Sequence, residues 1–151
     1  MITIDEFTNK LSSGSRLLGI DLGTKRIGIA ISDYNQKIAT PLQTLDKSKH
    51  GKLIDELESI IAEYGIRGII IGNPINMDGT YGKSSQSAKD TAINISNKID
   101  IPVSLWDERL STVGAFNLSS ELDINVSKKE KDIDKFAAAF ILQGALDFIQ
   151  N

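Results

Sequence analysis

The chain has 151 residues, of which 40% are hydrophobic and 25% charged, enough for one core of ordinary size and too few for a two-lobed enzyme. It has no cysteine, which excludes disulfide scaffolds, thiolate zinc sites and thiol catalysis, so a bound metal has to be held mainly by oxygen. With 17 basic and 20 acidic side chains the net charge is −3, and contact with nucleic acid has to rest on local patches.

No apolar run approaches the roughly 20 residues needed to cross a bilayer, so no membrane partner is expected. The opening MITIDEFTNK is acidic and is not followed by an apolar stretch, unlike a secretory signal; a cytoplasmic location is expected. His50 is the lone histidine, and its polar neighbours suggest no Ser-His-Asp triad.

Arg16 to Leu22 and Arg26 to Ile31 are β-branched runs separated by Gly23, Thr24 and Lys25, which predicts a β-hairpin. A third strand is expected around Ile38 to Leu45, with Pro41 marking an edge position or a bulge. From Leu53 to Tyr64 the apolar residues follow one helical face, and Gly65 supplies a stop. Arg67 to Gly72 carries Ile69, Ile70 and Ile71 in succession, the pattern of a parallel strand buried on both faces. Asn73 to Lys83 reads as a loop, about Ser85 to Ile99 as a polar helix, and Pro102 to Trp106 as a short strand. Ser111 or Thr112 can cap a helix through Leu118. The charged stretch Ser127 to Asp132 then leads into a last helix running to about Phe148. This order predicts a mixed α/β sheet with crossover connections, and ligand sites at its strand ends.

Asp21 interrupts an apolar strand on the face of Leu17 and Gly19. A carboxylate there needs a cation, an arginine or backbone N–H groups, or else it serves the turn at Gly23. Asp107, Glu108 and Arg109 follow the strand PVSLW, where acids can either favour a helix dipole or hold a metal beside a phosphodiester that the arginine grips. In the last helix, at about 100° per residue from Ile133, Asp134 lies at about 100°, between Ile141 at about 80° and Ala145 at about 120°. Asp132 falls at about 260°, beside Gln143 on the polar side, so Asp134 is the acid that faces the sheet.

Taken together, IDLGTKRIGIAISD, GNPINMDGTYG, PVSLWDERLST and IDKFAAAFILQ resemble, in order and context, four blocks of the RNase H-like nucleases of the YqgF/RuvX family. The resemblance runs from about Arg16 to the end, leaving residues 1–15 as an N-terminal extension and 16–151 as the nuclease domain. It implies an RNase H-like three-layer α/β/α fold with a mixed, about five-stranded sheet. It also implies an acidic triad at Asp21, Glu108 and Asp134, the last agreeing with the helical geometry. The chain departs from the family pattern at Asn73, where a leucine-like residue is usual, and in SSQSAKD, which carries fewer cations. Such a family points to hydrolysis of phosphodiester bonds, in 5′-end processing of pre-16S rRNA or in resolving Holliday junctions.

Three converging carboxylates repel one another by about 4 kcal/mol per pair at 4 Å and an effective dielectric of 20, so the site calls for cations. Mg²⁺ or Mn²⁺ suits hard oxygen ligands, and two ions about 3.5 to 4 Å apart, bridged by Asp21, would activate water and stabilise the leaving oxyanion. Lys25, Arg26, Asn76, Arg109 and Lys131, with Lys128, Lys129 and Lys135, are candidates for contacting an rRNA precursor or branched DNA. Asn76, Asp78 and Gly79 can equally form a plain turn, and Trp106 and Tyr81 can stack bases or, for Trp106, fill the core.

Two other classes stay open. DLGT after a strand also resembles the phosphate loop of sugar kinases, actin and heat-shock chaperones, which close two such domains around ATP; one domain is too short for that. A non-catalytic nucleic-acid-binding module would tolerate Asp21→Asn, whereas a nuclease would not.

Overall fold

The computed structural model describes residues 1–23, 25–46, 52–73, 82–107 and 126–150, with 83, 84 and 126–132 described as backbone only. Strands β1 (Arg16–Leu22) and β2 (Arg26–Ser32) form the expected antiparallel hairpin, with Gly23 N donating to Arg26 O at 3.0 Å across the turn. β3 (Ala39–Asp46) pairs antiparallel with β2 at the sheet edge, and Pro41 sits where that register shifts. Both readings of that proline hold at once, since an edge irregularity asks no N–H of it.

Helix α2 (Leu53–Tyr64) ends at Gly65, whose φ of 66° is the left-handed cap that glycine adopts most readily. β4 (Ile66–Asn73) runs parallel to β1, α3 (Lys83–Lys98) crosses over, and β5 (Val103–Asp107) runs parallel to β4. The sheet order is β3-β2-β1-β4-β5. The last helix, α4 (Val126–Gln150), begins earlier than expected: the charged stretch is itself helical. Lys and Glu are good helix formers, so the charged stretch is compatible with the helical backbone it adopts. The helix expected from Ser111 or Thr112 through Leu118 lies outside the described residues.

Two cores flank the sheet and make three layers. On one face Leu57 and Ile60 of α2 and Ala92 and Ile95 of α3 pack with Leu18, Ile20, Ile69 and Ile71. On the other, Ala138, Leu142 and Leu146 of α4 pack with Leu17, Ala30 and Ile70. The isoleucine run of β4 is thus divided by strand alternation between two apolar layers, as its continuous hydrophobicity predicts.

The first 15 residues join the second core. Helix α1 (Ile4–Lys10) is capped by Thr3, which accepts from Glu6 N, and its Phe7 is fully buried. A side chain at Gly68 would meet Phe7 Cζ at 2.7 Å, so the ring lies directly on β4. Ile2 adds a parallel bridge to Ser104. Among the described residues no helix is long and apolar enough to cross a membrane.

Asp33 closes the turn after β2, its carboxylate accepting from Lys37 N at 2.8 Å and Ile38 N at 3.0 Å. The bond from Ile38 and then that from Lys37 hold its pKa below the ordinary carboxylate value. A folded-state pKa below the unfolded one gives stability that is complete above the unfolded value and lost as pH falls through the folded value. Asp33→Asn, which keeps an acceptor and removes the charge, lowers Tm at pH 7, and the difference vanishes as pH falls through the folded-state value of Asp33. Thermal melts across that range check it.

Candidate active site

Alternation along β1 puts Leu17, Gly19 and Asp21 on the α4 face. A Cβ at Gly19 would stand 2.7 Å from Leu142 Cβ and 3.0 Å from Ala138 O, so the helix lies almost on the strand. Opposite Asp21 in the hairpin is Gly28, and a Cβ there would come within 1.9 Å of Asp134 O and 2.9 Å of Lys135 N. Small residues on the strands therefore let α4 deliver Asp134 against the strand pair at the level of Asp21. The two acids, 113 positions apart in sequence (134 − 21), share one face and one end of the sheet.

Asp134 is half-buried, and its Oδ2 accepts from Arg26 Nε at 2.7 Å. Its Oδ1 lies 3.6 Å from where a Gly23 Cβ would be, so this oxygen faces the hairpin turn. Arg26, expected to contact substrate, is thus placed on the acid it would otherwise leave unbalanced. With side-chain exposures of 36% and 18%, solvent screens the pair, which fixes a carboxylate more than it stabilises the fold. Lys25 is exposed in the same turn.

β4 ends beside β1 and β5 beside β4, with Asn73 opposite Asp107 in register. Glu108 is the next residue along the chain; it, Arg109 and Asn76 lie outside the described residues, as does the side chain of Lys131. Trp106 is buried in the α4 core, with its ring edge-on to Phe148 at 5.8 Å and 62°, which favours packing over base stacking. Tyr81 lies outside the described residues.

Asn73 escaped the sequence reading, which opened the loop there. It is the last residue of β4, 6% exposed, and accepts from Ser85 Oγ at 2.6 Å. A polar residue two positions beyond an isoleucine run is the available signal.

The donor set suits a hard divalent cation. Both placed acids offer carboxylate oxygen, and the absence of side chains at 23 and 28 lets the backbone of Arg26 and of Asp134 close on the strand ends where those acids sit. Among the described residues no group of three potential ligands is assembled.

A family model described as "RuvX: Holliday junction resolvase" matches residues 15–148. A Pelagibacter ubique protein named "Putative pre-16S rRNA nuclease" is 61% identical over 151 residues, covering 100% of both chains. A Ruegeria pomeroyi protein of the same name is 43% identical over 149 residues, 99% of this chain and 97% of that protein. Among solved structures, T. thermophilus RuvC in complex with Holliday junction substrate aligns with a TM-score of 0.56 at 11% identity, over 85% of this chain and 91% of RuvC. That likeness is one of fold, and it carries the RNase H-like assignment of the mixed five-stranded sheet. With a family match spanning residues 15–148 and relatives aligned nearly end to end, the chain belongs to the RuvX family of RNase H-like nucleases.

Proposed function

We propose that this protein is a divalent-metal-dependent nuclease that hydrolyses phosphodiester bonds in 5′-end processing of pre-16S rRNA, in the cytoplasm. The observation that supports the reading is the packing of the α4 backbone at Asp134 onto Gly28, the register partner of Asp21, which sets both acids on one face at one end of the sheet. The names of its relatives in Pelagibacter ubique and Ruegeria pomeroyi support the rRNA substrate.

In this reading Asp21, Glu108 and Asp134 are the catalytic carboxylates and hold Mg²⁺ or Mn²⁺, two ions in all. The metal supplies a lowered pKa for the attacking water and charge neutralisation for the departing oxyanion. The chain's own side chains do the rest. Arg26 fixes the orientation of Asp134 through its 2.7 Å bond, leaving Oδ1 for ligation. Lys25, Arg109 and Lys131 neutralise backbone phosphates, and Asn76 contacts substrate from its loop.

A second reading, resolution of Holliday junctions, is favoured by the family description and by the fold shared with RuvC. The deciding experiment incubates the protein with pre-16S rRNA, single-stranded RNA and four-way DNA junctions, with and without Mg²⁺. Cleavage of the rRNA precursor that requires the metal is expected. Cleavage of junctions alone moves the assignment to resolution, and binding without cleavage of any substrate leaves a non-catalytic module.

The placement of Asp134 has its own test. Mn²⁺ raises Tm by binding the folded state, and Asp134→Asn removes most of that rise while Asp132→Asn retains it. Differential scanning fluorimetry with a Mn²⁺ titration measures both, and equal loss in the two variants would overturn the assignment.

A further inference from the structure

We infer that Asp46, at the end of β3, is a positioning residue for Asp134 that acts through Arg26: it holds the guanidinium and balances its charge, so that Asp134 stays an anionic ligand for a divalent cation. The metal rests on the nuclease reading above; the relay rests on strand register and on the bond between Arg26 and Asp134.

Register sets the two residues side by side. Arg26 opens β2, Asp46 closes β3, and the two are Cα partners in the antiparallel ladder. Their neighbours Ile27 and Leu45 are both buried in the core beneath α2 and α3, so alternation turns Arg26 and Asp46 to the α4 face, where Asp134 lies. Directly opposed Cβ atoms on one face stand about 4.5–5.5 Å apart, within reach of an arginine side chain, and opposite charges so placed attract. The third strand was expected to end near Leu45; it runs one residue further, which brings the acid into the ladder. Neither residue is without a partner.

Charge gives the pairing its use. Arg26 donates to Asp134 Oδ2 from Nε at 2.7 Å, and the fixed fork of a guanidinium leaves its two Nη groups for a second acceptor. Without a counter-charge of its own, Arg26 would cancel one of the two negative charges that Asp21 and Asp134 bring to the strand ends, and would repel an incoming cation. Asp46 restores that charge from the edge strand and keeps the guanidinium from turning away from Asp134. Asp46 is exposed and the Arg26 side chain is 36% exposed, so solvent screens the effect and keeps it modest.

Asp46 is too distant to share an ion with Asp21. Asp21 pairs with Gly28 and Gly28 with Thr44, so Asp46 lies two strands across from Asp21 and two residues further along. A strand spacing of about 4.8 Å and a rise of about 3.4 Å per residue put the two Cα atoms roughly 12 Å apart, with both side chains standing off the same face. Carboxylate oxygens bind Mg²⁺ or a larger hard cation at about 2.0–2.6 Å, which this separation does not allow for one ion between them. The route from Asp46 to the metal ligands therefore runs through Arg26.

A double-mutant cycle tests this on the full chain without nucleic acid, with Mn²⁺ affinity read from the EPR signal of the free ion, alongside metal-free melts. Asp46→Asn raises the Mn²⁺ Kd about threefold while the metal-free Tm stays within about 3 °C, the scale of an exposed ion pair. Asp46→Glu, which keeps the charge, restores the wild-type Kd to within about twofold. In an Arg26→Gln background the same Asp46→Asn change moves Kd by less than about 1.5-fold, because the residue it acts through is gone. An equal effect in both backgrounds means that Asp46 attracts the ion through space or serves another cation such as Lys25, and overturns the relay; so does an unchanged Kd in Asp46→Asn. RNA cleavage in Mg²⁺ is assayed in parallel. A wild type that binds Mn²⁺ with the expected coupling and cuts nothing ends the nuclease reading alone, whereas one that cuts, with Arg26 and Asp46 uncoupled, ends the relay alone. A wild type that binds no Mn²⁺ overturns both.

Discussion

Asp21→Asn reduces metal-dependent cleavage by about 10³-fold, the scale on which loss of a single preorganised charge-stabilising group acts. The substitution preserves size and removes one negative charge from a position that faces Asp134 across Gly28. With Mn²⁺ at about 100 times its Kd, linkage adds about 2.7 kcal/mol to the wild type, or roughly 5–10 °C in Tm for a domain of this size. The variant loses most of that rise while keeping its metal-free fold. Cleavage assays and melts with and without Mn²⁺ read the two effects separately. Full activity in Asp21→Asn would leave a binding module of the same fold, since a binder has no use for that charge.

How far the residues themselves announce this site depends on whether the signal is local. Asp134 was legible because helical periodicity is a property of its own segment: the same rule that placed Ile141 and Ala145 inward placed the acid between them, and both are buried. Ile133, used as the origin of that wheel, lies at the rim of the arc and is 41% exposed. Asp21 was legible as a charge inside an apolar strand, and α2 as a clean amphipathic stripe closed by Gly65.

Long-range pairings were not legible in this way. Nothing near Arg26 in sequence indicates that its guanidinium meets a carboxylate 108 positions later. From the sequence it is a candidate substrate contact in the hairpin. The composition of Asn73 to Lys83 reads as a loop, which takes Asn73 out of the strand. It stays in β4 because Ser85, on the following helix, satisfies its carbonyl. Phe7 lies outside the blocks that carry the family resemblance, yet it completes the core beneath Gly68.

Gly28→Ala is the substitution with the largest expected effect on stability. A Cβ at that position would lie 1.9 Å from Asp134 O and 2.3 Å from Asp134 C, both backbone atoms of α4. No rotamer change relieves a clash with backbone, so the helix has to move. It cannot retreat cheaply, because about one and two turns further on Ala138 and Leu142 pack against Gly19 of the neighbouring strand. Overpacking a core costs about 1–3 kcal/mol when side chains can adjust, and here the cost falls at or above about 3 kcal/mol. That corresponds to a fall in Tm of roughly 6–12 °C. Gly14→Ala is the internal control: its φ is +81°, but nothing lies within 4 Å of the added methyl. The left-handed backbone alone costs about 1–2 kcal/mol there, so its melt shifts less. Where Gly28→Ala still folds, the displaced helix carries Asp134 away from Asp21, and the Mn²⁺-induced rise in Tm shrinks, whereas Gly14→Ala keeps that rise in full. Equal melts and equal Mn²⁺ responses in the two variants would mean that α4 does not rest on the hairpin, and the meeting of the two acids would lose its structural basis.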